Sequence, residues 1–343
     1  MPVTIKDIAR NAGVSHSTVS RALSGHPGIP LDTVERIKKV ANAMGYVPSA
    51  VARGLKTSRS QALGVIVSRI DDPFFSEILQ GIEDVLQKVG YSLFVAASNR
   101  DFAREKIIVQ AMRERRVDGV IICTTQFNED HYRQLEHYGF PIVAVGNQEI
   151  TGYQPMIYHD DLYGSSQAAS HLIALGHTHI AFLGNGRAER TSLGRLNGLR
   201  RQIEAANLTL SDENIFFAPN GRPEGGEIGA QYFLNLPHPP TAIMCFNDML
   251  AIGVLKALRV AGWEVPMQCS VMGYDDIPLA AYTYPPLTTF QQPKYQLGYQ
   301  AAQMMYNQLQ PEADANVVQV KTVQLRGTMI VRASTAPCSF VTD

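Results

Sequence analysis

No apolar run in the 343-residue chain approaches the ~18 residues of a membrane span, and the opening MPVTIKDIAR is too polar to begin a signal peptide. Cysteine is scarce: Cys123, Cys245, Cys269 and Cys338 are scattered and form no CxxC pair, so reduced thiols in a cytoplasmic protein are expected rather than disulfides or zinc ligands. No metal site and no cofactor is expected. Signature motifs of catalysis are missing too: there is no GxSxG, GxxxxGK or HExxH, and GNGRAE lacks the final glycine of a dinucleotide loop. His159-Asp160 has the residue types for acid–base work, but neighbours on a strand end point apart and no nucleophile pairs with them. No catalytic residue is therefore assigned, and an enzyme is not expected.

Net charge is small, −1, but unevenly spread. Residues 1–60 hold nine Lys/Arg against three Asp/Glu, which leaves 21 against 28 of the chain's 30 and 31 for the remainder. A basic head on an acidic body points to a polyanion partner for the head alone. The head reads as short helices. Thr4 with Asp7 resembles a capping box opening a helix through Ala12, and Gly13 then turns the chain. A second helix is expected from Ser15 to Leu23. After a loop marked by Pro27, Gly28 and Pro30, a third runs from Asp32 to Met44 and stops at Gly45. Two short helices across a glycine turn, followed by a third, match a helix-turn-helix arrangement.

The second helix, within VSHSTVSRAL, divides at roughly 100° per residue into a mainly apolar side and a hydrogen-bonding side. Val19, Ala22 and Leu23 can pack on Ile8, Ala9 and Ala12, leaving His16, Ser17, Ser20 and Arg21 outward. Such a helix can lie in a DNA major groove. Arg21 can bond bidentately to guanine, His16 and Ser17 can read neighbouring bases, and Ser15, Thr18 and Ser20 are better placed for phosphates. Thr4, at the start of the first helix, is counted with these DNA contacts.

VTIKDIARNAGVSHSTVSRAL followed by YVPSAVARGLKTSRS resembles the DNA-binding head and hinge of the LacI/GalR family of bacterial repressors. The hinge, starting at Pro48 or Ser49, is barely two turns long and contains Gly54, so it should not be stable alone in water. The resemblance implies that it orders on DNA, in the minor groove, as paired hinges of a dimer. Leu55 would wedge into a central base step, with Ala52 and Lys56 at minor-groove contact positions.

From Ala62 the pattern changes to short apolar runs alternating with amphipathic helices. LGVIVSRI, YSLFVAAS, VDGVIICTT and FPIVAVGN read as buried parallel strands, and HIAFLGN, TAIMCFND and CSVMGYDD form a second series. The expected fold is an N-terminal all-α helix-turn-helix head with a hinge helix, then a bilobal α/β core of two doubly wound parallel sheets. The expected divisions are 1–47 for the DNA-binding domain, 48–60 for the hinge and 61–343 for the core. Within the core, lobe 1 takes 61–160 plus 291–320, and lobe 2 takes 161–290 plus 321–343. Ligands bind such sheets at the carboxyl ends of the strands, which draws attention to Asp71-Asp72, Asn247-Asp248 and Asp275-Asp276.

The core also resembles the family's periplasmic-binding-protein-like domain, through HLIALGHTHIAFLG, RLNGL, TAIMCFND, MGYDD and PPLTTFQQP. That resemblance implies an effector cleft containing Asp72, Phe75, Asp160, Arg195, Asn247 and Asp275. These suit a small polyhydroxylated ligand, a sugar or derivative: carboxylates and an amide for adjacent hydroxyls, a forked Arg195, and Phe75 against an apolar ring face. Two departures matter: Gly146-Asn147 where many relatives carry Asp-Arg, and PNGRPEGG where some place an aromatic. Arg222 in that loop is compatible with an acidic or phosphorylated ligand and equally with a solvated cation. The expected protein is a repressor, dimeric on a pseudo-palindromic operator since the tail APCSFVTD has no leucine heptad, and coupled to effector through the lobes. The alternative is a sugar-binding protein without a DNA role.

Overall fold

Reciprocal hydrogen bonds between Thr4 and Asp7 start the first helix, α1 (Ile5–Ala12): Thr4 N donates to Asp7 Oδ2 at 3.0 Å, and Asp7 N donates to Thr4 Oγ1 at 3.4 Å. The computed structural model describes residues 3–46, 59–123, 139–147, 149, 155–310 and 322–338. Gly13, at φ 64°, closes α1 by a left-handed turn that a side chain would strain. Ser15 then caps α2 (His16–Leu23), its hydroxyl accepting from Thr18 N at 3.1 Å. α3 (Leu31–Ala43) ends before Gly45, at φ 65°. Ile8, Val19 and Ile37, one from each helix, are fully buried in a shared core, where each contributes about 1.5–3 kcal/mol. The three expected helices thus form within a residue of their predicted ends.

The chain falls into two compact units, Met1–Ser60 and Gln61–Asp343. The second unit holds two six-stranded sheets. In the first, strands β1 (Ala62–Val67), β2 (Ser92–Ala97), β3 (Gly119–Cys123), β4 (Ile142–Gly146), β5 (Met156–His159) and the late β11 (Thr322–Leu325) run parallel in the order β11-β5-β4-β3-β1-β2. Helices α4 (Phe74–Lys88) and α10 (Lys294–Gln308) cover one face through Ile78, Ile82, Leu297 and Met305, while α5 (Phe102–Glu114) covers the other through Val109 and Met112. Gly81 and Gly298 let α4 and α10 touch backbone to backbone: a Cβ on Gly298 would lie 1.9 Å from Ile78 O.

The second sheet contains β6 (Ile180–Asn185), β7 (Ile215–Ala218), β8 (Ala242–Cys245), β9 (Ser270–Asp275), β10 (Thr288–Gln291) and β12 (Thr328–Ile330), in the order β12-β10-β9-β8-β6-β7. Only β12 is antiparallel to its neighbour. α6 (Asp161–Ala174) and α7 (Glu189–Ala205) pack on one face through Leu172, Leu196 and Leu199. α8 (Pro223–Leu234) and α9 (Asp248–Val260) pack on the other through Phe233, Leu250 and Val254.

The chain passes between the sheets three times: after β5, between β10 and α10, and between β11 and β12. The last crossing departs from expectation. The expected lobe 2 takes up the chain again at residue 321, yet Thr322–Leu325 pairs in register with Met156–His159 in the first sheet, so the crossing comes at Arg326-Gly327. Gly327 fits there because a Cβ would meet Gln291 O at 1.9 Å. Of the expected hinge, residues 48–58, and with them Ala52, Leu55 and Lys56, lie outside the described residues.

Candidate functional site

On the head, burial and capping fix which side of α2 faces out. Val19 and Ala22 are buried and His16, Ser17 and Arg21 are exposed, with Thr18 and Ser20 partly covered. Ser15 Oγ lies 2.7 Å from Ser17 Oγ and 2.8 Å from Thr18 Oγ1, so the capping hydroxyl also organises its neighbours. Thr4 is exposed but engaged in its own capping box. The outward row His16, Ser17, Arg21 presents a donor/acceptor imidazole, a hydroxyl and a forked cation along one helix face.

In the core, the carboxyl ends of β1, β2, β6, β7 and β8 surround a hollow of about 590 Å³ between the lobes. Its lining includes Asp72, Asn99 and Arg100 from the first lobe and Asn185, Arg222 and Asn247 from the second. Asp72 Oδ1 accepts from Phe74 N at 3.1 Å, and burial raises its carboxyl above the usual range. Asn247 caps α9, with Oδ1 accepting from Leu250 N at 2.9 Å, while Nδ2 donates to Gly221 O at 3.2 Å. Gly221 is held between two amides: a Cβ there would lie 2.6 Å from Asn185 Nδ2 and 3.5 Å from Asn247 Nδ2. Phe75 is 4% exposed and lines a neighbouring apolar recess with Cys123, Val145 and Gln292.

A buried ionic core centres on Arg195, next to Phe246, the neighbour in sequence of the hollow's Asn247. The Arg195 guanidinium stacks between Tyr274 and Phe246, at 3.8 and 4.6 Å from their ring centroids. Its Nε donates to Asp161 Oδ1 at 3.1 Å, and Nη1 donates to Phe246 O and stands 3.7 Å from Asp275 Oδ1. Burial works to lower its pKa, but Asp161 and Asp275 outweigh burial and the net shift is upward. Asp275 occupies a backbone conformation rare for a side-chain-bearing residue, φ 114°, followed by Asp276 at φ 53°. The pair is clamped from several elements. Gln292 Nε2 donates to Asp275 Oδ1 at 2.6 Å, Gln291 Nε2 to Asp276 Oδ2 at 2.8 Å, and Arg332 Nη2 to Asp276 Oδ1 at 2.7 Å. Buried Lys294, just past a crossing, donates to the carbonyls of Asp275 and Asp276 and lies 3.2 Å from Glu77. Burial pushes the Asp275 carboxyl well above the usual carboxylate range, against the pull of Arg195.

Asp72 and Asn247 therefore meet at the hollow, and Arg195 and Asp275 meet in the ionic core. Asp160 joins neither. It caps α6, with Oδ1 accepting from Tyr163 N at 2.9 Å and Oδ2 from Gln324 Nε2 at 2.6 Å, and it lines a separate hollow of about 320 Å³. The acid that faces Arg195 is its neighbour Asp161. Arg100 and Asn185 were not among the expected site residues, though the strand-end rule that draws attention to Asp71-Asp72 and Asn247-Asp248 applies equally to Asn99-Arg100 after β2. His159 is fully buried, its Nε2 is 2.8 Å from Tyr274 Oη, and burial lowers its pKa to about 3.

Comparison with known proteins agrees with this two-unit plan. Residues 4–49 match the family of bacterial regulatory proteins of the lacI type, and residues 169–335 match the periplasmic binding protein-like domain. The HTH-type transcriptional repressor PurR of Vibrio vulnificus is 33% identical over 307 residues, covering 89% of this chain and 92% of that protein. The lac repressor dimer bound to operator and an anti-inducer superposes with a TM-score of 0.87 at 25% identity, over 98% of this chain and all of that one. A LacI family regulator of Enterococcus faecium with bound ribose gives 0.71 at 27% identity, over 81% of this chain and all of that one. With a matching head, a matching core and a relative aligned along nearly its whole length, this chain belongs to the LacI family of bacterial regulatory proteins, DNA-binding repressors governed by a small-molecule effector.

Proposed function

We propose that residues 1–47 read an operator through α2, that 48–60 link this head to the core, and that 61–343 bind effector and pair two copies. The observation that carries the reading is the division of α2, which buries Val19 and Ala22 against α1 and α3 and leaves His16, Ser17 and Arg21 outward. Arg21 is assigned to guanine, His16 and Ser17 to adjacent base edges, and Ser15, Thr18, Ser20 and Thr4 to the phosphate margins. Ala52, Leu55 and Lys56 are assigned to the minor groove on the strength of the family motif.

Pairing has surface support. β2 is an edge strand with Phe94 51% exposed, and Ile107 on nearby α5 is 70% exposed; in the second lobe Tyr282 and Tyr284 are each 85% exposed. Apolar surface of this kind favours a second copy, and a two-fold dimer sets two α2 helices on the half-sites of a palindrome. Asp72, Asn247, Arg195 and Asp275 are assigned to a polyhydroxylated effector, with Phe75 as an apolar wall. Asp160 acts there through α6 as its cap. A binding role suits these residues better than catalysis: His159, beside Asp161 in the ionic core, is buried, neutral and 2.8 Å from the Tyr274 hydroxyl. Residence in the cytoplasm accords with the family and with free, mostly buried cysteines. No helix among the described residues is long and apolar enough to cross a membrane.

The reading is tested with Arg21→Ala in a selection from random DNA. It should weaken operator binding about 30-fold to 10⁴-fold, for two lost contacts of about 1–3 kcal/mol each in the dimer, and relax preference at one base pair per half-site. Unchanged affinity and unchanged preference would remove α2 from base reading.

A further inference from the structure

The hollow between the lobes is rich in arginine as well as in the polar groups a sugar needs. Arg69 and Arg100 line it from the first lobe, and Arg187 and Arg222 from the second. One acid already shows what such a set accepts. The Asp71 carboxylate receives Arg69 Nε at 2.9 Å, a second bond from Arg69 Nη2, and Arg222 Nη2 at 2.8 Å. It joins an arginine of its own lobe to one from the other lobe, at the mouth of the hollow. Its side chain is 63% exposed, so the pairing is solvent-screened and open to exchange.

The start of α8 adds to the same end of the hollow. Arg222 is its N-cap residue and supplies no side-chain acceptor, and Pro223 occupies the first turn. The opening amides of this 12-residue helix have no acceptor within the helix and carry the positive end of its dipole. A guanidinium from each lobe therefore converges on the place where Asp71 now sits, and the start of α8 lines the same hollow.

We propose that the effector is a phosphorylated sugar, with its phosphate monoester taking the place of the Asp71 carboxylate between Arg69 and Arg222. This rests on the reading of the hollow as the effector cleft and deepens it. A phosphate offers three acceptor oxygens and about −1.5 to −2 charge, and so satisfies two forked guanidiniums better than one carboxylate does. The sugar hydroxyls then fall to Asp72, Asn185 and Asn247 further in. Because Asp71 spans the lobes through Arg222, its displacement exchanges an internal tie between lobes for one made by ligand, which gives the effector a handle on lobe orientation.

The test is calorimetric titration of the full chain with matched pairs: ribose and ribose 5-phosphate, glucose and glucose 6-phosphate, fructose and fructose 1-phosphate, with inorganic phosphate alone as a further probe. One phosphorylated member should bind at least about tenfold more tightly than its parent, with an affinity that falls as salt rises. Arg222→Gln and Arg69→Gln should bring that member down to the affinity of the parent, while Asp71→Asn should tighten it. Arg222 is 48% exposed and Arg69 24%, so the fold does not depend on either, and unchanged melting of each variant verifies this. A parent sugar that binds as tightly as its phosphate, loses binding on Asn247→Ala and ignores Arg222→Gln would overturn the phosphate assignment and keep the cleft. No binding by any compound would overturn both.

Discussion

Replacing Arg195 with Met should destabilise the core severely. The guanidinium is 3% exposed, and its removal leaves Asp161, with a side chain only 5% exposed, without its 3.1 Å donor. Breaking a buried ion pair from one side costs about 3–5 kcal/mol, because the remaining charge stays desolvated. Met fills much of the slot between Tyr274 and Phe246, so the packing loss is modest and the charge dominates. A loss of about 4 kcal/mol corresponds to a fall of about 8–16 °C in melting temperature, at about 2–4 °C per kcal/mol for a unit of this size. Urea unfolding followed by circular dichroism reads this directly. The mechanism makes a second demand. Adding Asp161→Asn to Arg195→Met removes the stranded charge, so the double variant should regain about 2 kcal/mol over the single one. A single variant within about 1 kcal/mol of the parent, or a double variant whose losses simply add, would refute the view of Arg195 as the compensating charge of the site.

Thr4→Ala removes the capping box of α1 and should cost about 1 kcal/mol, read as faster hydrogen exchange of the α1 amides with the core unaffected. Gly253 on α9 lies where a Cβ would be 1.9 Å from Pro223 O, at the start of α8. Gly253→Ala should therefore cost about 1–3 kcal/mol and weaken ligand binding by shifting the first turn of α8, both measurable by thermal shift with and without ligand. Burial raises the Asp248 carboxyl from 3.8 to about 7, against bonds from Thr289 Oγ1 at 2.6 Å and Ile277 N at 2.8 Å. The folded chain then keeps a proton that the unfolded chain releases between about pH 4 and 7, so stability declines as pH rises through that window. Asp248→Asn should flatten this decline, and an unaltered profile would assign it to other groups.

The head was legible because its signals are local: a capping box, a glycine turn and five buried apolar positions decide α1 and α2 within a span of 20 residues. β1 and β3 were legible as apolar runs because they are buried along their whole length, whereas β2, equally apolar in YSLFVAAS and expected to be buried, is an edge strand with Phe94 51% exposed. What the sequence concealed depends on pairing across distance. β11 belongs to the first sheet only because it meets β5, more than 160 residues earlier, and nothing in KTVQL announces that partner. At the site, Asp160 and Asp161 differ by one step at a helix start. The cap residue turns its carboxylate to the helix amides, and the next one faces Arg195, a distinction of phase that composition does not carry. Arg100 follows β2 as Asp71-Asp72 follow β1, and only the fold shows that it lines the same hollow.

The central claim is that one chain couples operator binding to a ligand in its core. The most direct measurement titrates the full chain onto a labelled fragment of its own upstream DNA, or one enriched from a genomic pool, by fluorescence anisotropy. It is run at 50 and 200 mM salt, with and without the ligand that calorimetry identifies. The account predicts binding at least about 10³-fold tighter than to scrambled DNA, steeply weakened by salt, and changed about 5–150-fold in either direction by the ligand. Equal affinity for operator and scrambled DNA, or an operator affinity that no cleft ligand alters, would contradict it.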